Sequence, residues 1–314
     1  MNPYPLKFKP IYKELIWGGH KLRNVLGKDF PADKKIGESW ELADLPNDKT
    51  IIANGKFAGK TLSELLQKYS EQITGRKNYQ MPFGLLIKFI DAADILSVQV
   101  HPDKDAVKRL KTGCPKTECW YIISTESNSC IYKGLKAGIT KERFAQSIKD
   151  GTCAELLNKI PVKPGQCYFL PAGTVHATGA GILLAEIQTP SDTTFRVFDW
   201  NRLQNGKPRQ LHIEQALESN NFNQKAEDLP VTTSGRLADN EFFKIDKITA
   251  QADTSEKITK GAMKVIIIIS GSGRITSKDS NPVDFAKGQT ILLPAILDGE
   301  MFFDGDTEYL SVTQ

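Results

Sequence analysis

Gly165-Gln166-Cys167-Tyr168-Phe169-Leu170-Pro171-Ala172 is the stretch that decides the fold, because it occurs twice. Its second copy is Gly288-Gln289-Thr290-Ile291-Leu292-Leu293-Pro294-Ala295. Each copy reads as a glycine turn, a short β-run and a proline bend. The first copy continues through Gly173-Thr174-Val175 to His176, whereas the second continues through Ile296-Leu297-Asp298-Gly299 without a histidine. The repeat therefore predicts two β-barrel units of similar design, one equipped for a metal and one not.

Outward from the repeat, short β-rich runs dominate. They lie at Phe83–Ile90, Leu96–Val100, Trp120–Ile123, Gly181–Gln188 and Thr194–Phe198. Towards the C-terminus come Phe242–Ile245, Lys264–Ile269, Gly273–Thr276 and Glu308–Val312. Many short strands punctuated by Gly and Pro argue for an all-β barrel or sandwich. Helical patterns are few. Thr61–Tyr69 has a Thr cap, a Glu three residues on and Leu at helical spacing. Thr140–Ile160 predicts two short helices broken near Gly151, and Ile213–Glu218 and Asp103–Lys111 predict one each. The polar stretch Asn220–Thr233 suits a linker, with a boundary near Ala226–Gly235. The expected domains are a metal-binding catalytic unit over 1–230 and a second β-barrel without metal ligands over 231–314.

The chain of 314 residues is 40% hydrophobic and 25% charged, ordinary values that exclude a disordered chain and a small disulfide scaffold. A formal net charge of +4, with no block of like charges, gives no argument for nucleic acid. No purely apolar run is longer than Val265–Ile269, far short of the ~18 residues a membrane helix needs. Met1-Asn2-Pro3-Tyr4-Pro5 has no signal-peptide layout, so a cytoplasmic location is expected. Five cysteines without a C-x-x-C pair read as free thiols.

Four histidines are present: His20, His101, His176 and His212. Alternation places Ser97, Gln99 and His101 on one strand face and Val98 and Val100 on the other. A face of Ser, Gln and His is either solvated or lines a polar cavity. His176 follows the glycine-containing bend, and Glu118 opens Glu118-Cys119-Trp120-Tyr121 with Trp120 on its own face. Two imidazoles and one carboxylate are the ligand set of many catalytic zinc sites and also suit iron in an oxygenase. Gln99 could add an oxygen ligand or a supporting hydrogen bond. His212, ahead of a helix pattern, reads as structural.

Several motifs, in order, resemble one family. Leu96-Ser97-Val98-Gln99-Val100-His101-Pro102-Asp103-Lys104 resembles the Q-x-H-P-D-K signature of type I mannose-6-phosphate isomerases. Ile16-Trp17-Gly18-Gly19 is similar to the family's W-G-G, and Gly37-Glu38-Ser39-Trp40-Glu41 to its G-E-S-W-E. Lys116-Thr117-Glu118 resembles its K-x-E, and Pro171–Ala177 its P-x-G-x-x-H-A. Ser191–Trp200 resembles the short bacterial form's S-D-T-T-Y-R-V-Y-D-[WY].

The resemblance implies a mainly β fold of two cupin-type barrels with a few short helices. It implies a zinc-dependent aldose–ketose isomerase of mannose 6-phosphate and fructose 6-phosphate, with a sugar phosphate as substrate and neither nucleic acid nor membrane as partner. His101, Glu118 and His176 match metal ligands, Gln99 a fourth ligand of longer members, and Arg196 and Lys116 catalytic residues. One zinc per chain follows from the single ligand set. Such a reaction removes a proton beside the carbonyl, passes through an enediolate and needs positive charge near the developing oxyanion. Arg196 offers a planar donor array for enediolate or phosphate, Lys116 and Lys104 offer point charges for phosphate, and Ser97 lies on the same face as the ligands. The residues alone leave two alternatives: an iron-dependent cupin oxygenase, and a non-catalytic sugar-binding cupin. The latter usually carries a DNA-binding helix pair, and none is visible after residue 235.

Overall fold

The fold comes from a computed structural model, which describes residues 2–225, 230–278 and 280–314. It is mainly β, built as four sheet layers in two similar halves, with a few short helices. In the first half a seven-stranded sheet faces a five-stranded one. Its central strands are Glu118–Thr125, Ile182–Gln188 and Leu86–Ala92. The five-stranded sheet runs Phe195–Phe198, Val98–Val100, His176–Thr178, Cys130–Leu135, Leu157–Pro161. In the second half a seven-stranded sheet centred on Lys264–Ser270 and Thr307–Thr313 faces a four-stranded one.

Alternation explains why the two large sheets stack. In Lys264–Ser270, Val265, Ile267 and Ile269 enter the core between the large sheets, while Ile266 and Ile268 enter the core of the second half. In Ile182–Gln188, Leu183, Ala185 and Ile187 take the first role, and Ile182 and Leu184 face the interior of the first half. A strand buried on both faces reads as a continuous apolar run, as these do.

The sequence repeat is a structural repeat. The Gly165 N–H donates to Ile122 O at 2.9 Å, and the Ile122 N–H to Gln166 O at 2.9 Å. In the second copy Gly288 donates to Ile268 O at 2.8 Å and Ile268 to Gln289 O at 2.9 Å. Both glutamine side chains accept the N–H three residues back, from Lys163 and from Ala286. Both glycines have positive φ, 85° and 79°, which is why the phrase begins with glycine.

The halves also exchange strands. Leu6–Lys9 pairs with Thr290–Leu293 in the second half, and Val231–Thr232 pairs with Cys167–Leu170 in the first. The expected boundary at Ala226–Gly235 falls partly on residues 226–229, outside the described residues. One helical expectation is corrected. Lys141–Lys149 is a helix and Cys153–Leu156 a single 3-10 turn, but Leu157–Pro161 is a strand on Cys130–Leu135. Pro161 disfavours helix at Ile160, and the sheet edge takes the segment instead. Helix Leu62–Thr74 carries the expected capping box between Thr61 and Glu64. The cysteines are free thiols, and among the described residues no helix is long and apolar enough to cross a membrane.

Candidate active site

The two facing sheets of the first half each supply part of the site. Gln99 lies in the strand Val98–Val100, with His176 paired beside it on one side and Arg196 on the other. His101 follows at the end of the same strand. Glu118 opens its strand in the facing sheet. Val98, Val100, Phe195 and Val197 are buried behind the five-stranded sheet, under helices Lys141–Lys149 and Ile213–Ser219. That packing turns Ser97, Gln99, His101 and Arg196 towards the interior, as the alternation requires.

His101, Glu118 and His176 converge, with ligand atoms all within 4.8 Å of one another. Nε2 of His101 lies 3.3 Å and Nε2 of His176 3.2 Å from the Glu118 carboxylate. The Nδ1–H groups are spent elsewhere: His101 donates to Thr193 O and His176 to Thr174 O, each at 2.8 Å. Each neutral ring therefore aims a lone pair at an anionic oxygen, which is repulsive unless a cation lies between them. His101 Nε2 and both Glu118 oxygens are buried without a hydrogen-bond partner. Burial and then Lys116 hold His101 down to about 3, against the pull of Glu118, so the imidazole stays neutral. Burial lowers His176 too. Glu118 is held well below the carboxylate range despite its burial, chiefly by Lys116, whose Nζ sits 3.0 Å away. This donor set fits a divalent metal bound by two imidazoles and a carboxylate. The Gln99 amide reaches His176 Nε2 at 3.3 Å, and rotated by a half-turn it would present its oxygen there.

Above the triad opens a cavity of about 330 Å³. Gln99, Lys116 and Trp120 join it to the ligands, and the Trp120 ring stands edge-on to His176 with centroids 5.2 Å apart. Trp17 forms part of the wall. It reaches there because Gly18 and Gly37 let two strands cross: a Cβ on Gly37 would stand 2.7 Å from the Trp17 ring.

A row of charged and aromatic side chains crosses the large sheet beside the cavity. Trp40 pairs with Lys88, Lys88 with Glu186, and Glu186 with Trp120. Lys88 Nζ lies 3.3 Å from both Glu38 and Glu186, and Trp120 Nε1–H donates to Glu186 at 2.9 Å. Burial works against charge on Lys88, but Glu38 and Glu186 outweigh it and raise its pKa. The two carboxyls are pushed apart. Burial and Glu118 raise Glu186 against Lys116 and Lys88, whereas Glu38, despite burial, is lowered by Lys88 and the Trp40 N–H. Sequence reasoning missed Lys88 and Glu186. Their signal was a charge inside an otherwise apolar buried run, Leu86-Ile87-Lys88-Phe89-Ile90 and Leu183-Leu184-Ala185-Glu186-Ile187.

Ser97, Gln99, Lys116 and Arg196 all line the cavity. Lys104 does not, which corrects its expected place beside the substrate. Asp103 caps helix Lys104–Leu110 by accepting from Ala106 N–H at 2.6 Å, which leaves Lys104 exposed on the first turn. Its Nζ sits 3.5 Å from Glu241, in a different groove of about 690 Å³. His212, read as structural, lines the cavity together with Arg209.

Fold and site together define a mainly β protein of facing antiparallel sheets, with a buried histidine–glutamate–histidine centre beside a charged cavity. Residues 6–121 match the family described as phosphomannose isomerase type I, catalytic domain. The chain is 36% identical to a mannose-6-phosphate isomerase of Streptococcus mutans, over 98% of this chain and 97% of that one. It is 37% identical to mannose-6-phosphate isomerase ManA of Bacillus subtilis, over 98% of each. A crystal structure of mannose 6-phosphate isomerase from Bacillus subtilis superposes with a TM-score of 0.86 at 30% identity, covering 99% of both chains. The chain belongs to the type I mannose-6-phosphate isomerase family and is an enzyme of that class.

Proposed function

We propose that the enzyme interconverts mannose 6-phosphate and fructose 6-phosphate through an enediolate, with one zinc ion per chain held by His101, Glu118 and His176. The observation that carries this is the triad itself: two buried imidazole nitrogens aimed at one buried carboxylate, with His101 Nε2 and both Glu118 oxygens lacking a hydrogen-bond partner, beside a cavity of sugar-phosphate size. Zinc bound there supplies positive charge to polarise a substrate oxygen without redox chemistry. Gln99 stands ready as a fourth ligand.

The chain's own residues do the rest. Lys116 brings a second fixed cation to within 3.0 Å of Glu118 and faces the cavity, where charge on an enediolate develops. Glu186 and Glu38 flank Lys88 along one wall, with burial and Glu118 pushing Glu186 up and, despite burial, Lys88 and the Trp40 N–H pulling Glu38 down, so the two carboxyls differ in their readiness to hold a proton. Trp17 and Trp120 exclude water from the sugar, which keeps these interactions strong. Arg196 directs a guanidinium into the cavity, anchored by Ser97 Oγ at 3.3 Å and Gln210 O at 2.9 Å. A coupled assay of fructose 6-phosphate formation from mannose 6-phosphate tests the proposal. Turnover that is lost with a chelator and restored by zinc supports it; no turnover in zinc-loaded protein overturns it. A cytoplasmic location belongs to the same proposal, since a sugar phosphate substrate is a charged intracellular metabolite.

A further inference from the structure

The turn that follows strand Ile182–Gln188 is wired far more densely than its length requires. Gln188 ends the strand directly opposite Glu118 and is fully buried. Its amide donates to two carbonyls of the turn, Thr189 O at 2.9 Å and Ser191 O at 2.6 Å. Ser191 is buried too. Its Oγ accepts the Thr193 N–H at 3.2 Å and donates to Cys114 O at 3.1 Å. Thr193 Oγ1 in turn accepts the Cys114 N–H at 2.8 Å. The Thr193 methyl lies where a Cβ on Gly113 would come within 2.8 Å of it, so only glycine lets the two turns close on each other. A further pair of bonds ties the turn to the residue before Glu118. The Thr189 N–H donates to Thr117 O at 3.0 Å, and the Thr117 N–H to Thr189 Oγ1 at 3.1 Å.

These bonds converge on one atom of the metal centre's surroundings. Thr193 O accepts the His101 Nδ1–H at 2.8 Å. An imidazole turns about its Cβ–Cγ bond, and the nitrogen it offers to a metal is set by the bond the other nitrogen makes. The two histidines solve this differently. His176 bonds Thr174 O, two residues away in its own bend, so local backbone holds it. His101 depends on a carbonyl 92 residues along the chain, and that carbonyl must itself be anchored. Ser191 pins the Thr193 N–H, Cys114 pins the Thr193 hydroxyl, and Gln188 pins the turn that leads to both. No side chain of residues 188–193 belongs to a hydrophobic core cluster, so packing does not do this work.

We propose that Ser191 and Thr193, backed by Gln188, are positioning residues for the metal centre: they clasp the Gly113–Cys114 turn and fix the Thr193 carbonyl that aims His101 Nε2 at the ligand site. The effect on the metal rests on the zinc reading of the triad; the placement of the His101 ring does not.

Wild type, Thr193→Val, Thr193→Ser and Ser191→Ala are compared in three ways: zinc affinity by chelator competition, kinetics with mannose 6-phosphate at saturating zinc, and exchange of the His101 ring N–H by NMR in metal-free protein. Four histidines make that resonance assignable. Val keeps the shape and the methyl against Gly113 but removes the hydroxyl, whereas Ser keeps the hydroxyl and loses the methyl. Thr193→Val and Ser191→Ala are expected to weaken zinc binding at least about tenfold, the scale of losing support behind a ligand, and Thr193→Ser to stay within about threefold of wild type. KM at saturating zinc should stay within about threefold, since neither Ser191 nor Thr193 lines the cavity. The His101 N–H should exchange slowly in wild type and Thr193→Ser, and at least about tenfold faster in Thr193→Val. Folded variants with a lowered Tm but unchanged zinc affinity and unchanged exchange show a merely structural role and overturn the proposal. Thr193→Ser weakening zinc as much as Thr193→Val overturns it as well. Ser191→Ala decides by the same readouts should Thr193→Val fail to fold. A wild-type protein that binds no zinc yet shows Thr193-dependent protection of the His101 N–H leaves the clasp standing and refutes the zinc reading instead.

Discussion

Replacing Arg196 with Ala should lower kcat/KM for mannose 6-phosphate at least ~100-fold while leaving fold and metal content intact. The size follows from the contacts. The guanidinium bonds Ser97 Oγ and Gln210 O and keeps Nη2 free towards the cavity. One or two charge-assisted hydrogen bonds to an anionic substrate are worth about 1.5–3 kcal/mol each. A loss on the order of 3 kcal/mol is about a hundredfold in rate. The stability loss should be smaller. Two hydrogen bonds disappear, at about 1 kcal/mol each, and both orphaned oxygens border a cavity that water can enter. A Tm drop of a few degrees is therefore expected. Arg196→Lys should recover little, because a point charge does not copy a planar fork. A coupled assay over a substrate series, with circular dichroism and metal analysis of the same sample, separates the effects. A loss expressed in KM places Arg196 on the phosphate; one expressed in kcat places it on the enediolate. Near-normal kinetics for Arg196→Ala would refute the strand-face argument.

Three more outcomes are expected. His176→Ala should abolish metal binding and activity together while the sheets remain, and an active, metal-loaded His176→Ala protein would remove it from the ligand set. Burial opposes charge on Asp199, but Arg209 and Arg202 prevail and lower its pKa below 3.8. Its folded pKa is thus depressed, so its stabilisation is present above about pH 4 and fades as pH falls through the folded value. Asp199→Asn should accordingly lower Tm at neutral pH and converge on wild type in acid; parallel Tm curves would contradict this. Ile267→Ala, in the core between the large sheets, should cost about 2–5 kcal/mol in denaturant unfolding; a cost below ~1 kcal/mol would mean the halves are not packed through it.

Much of the fold was legible because its strands are short, apolar and bounded by glycine and proline. The repeated Gly-Gln phrase located equivalent turns in both halves down to the same backbone bonds. Less legible were strands whose order depends on distant partners. Leu6–Lys9 joins a sheet made of residues near the C-terminus, and Leu157–Pro161 follows a helical pattern into an edge. No local periodicity records such pairing. At the site, the triad, Gln99, Ser97 and Arg196 followed from alternation and motif. Lys104 did not, because Pro102-Asp103-Lys104 starts a helix that carries the lysine away into solvent. Arg209 and His212 were hidden for the opposite reason. They sit in a polar loop and at a helix start, and only the Asp199 bridge and the Arg196 backbone bond draw them to the cavity.

The metal centre is tested most directly by titrating zinc into chelator-stripped enzyme while following isomerisation of mannose 6-phosphate. Stripped protein should be inactive, and activity should rise linearly and saturate at about one zinc per chain, since the described residues form a single such cluster. Full activity in metal-free protein, or no recovery at any zinc level in protein that remains folded, would contradict the His101–Glu118–His176 centre.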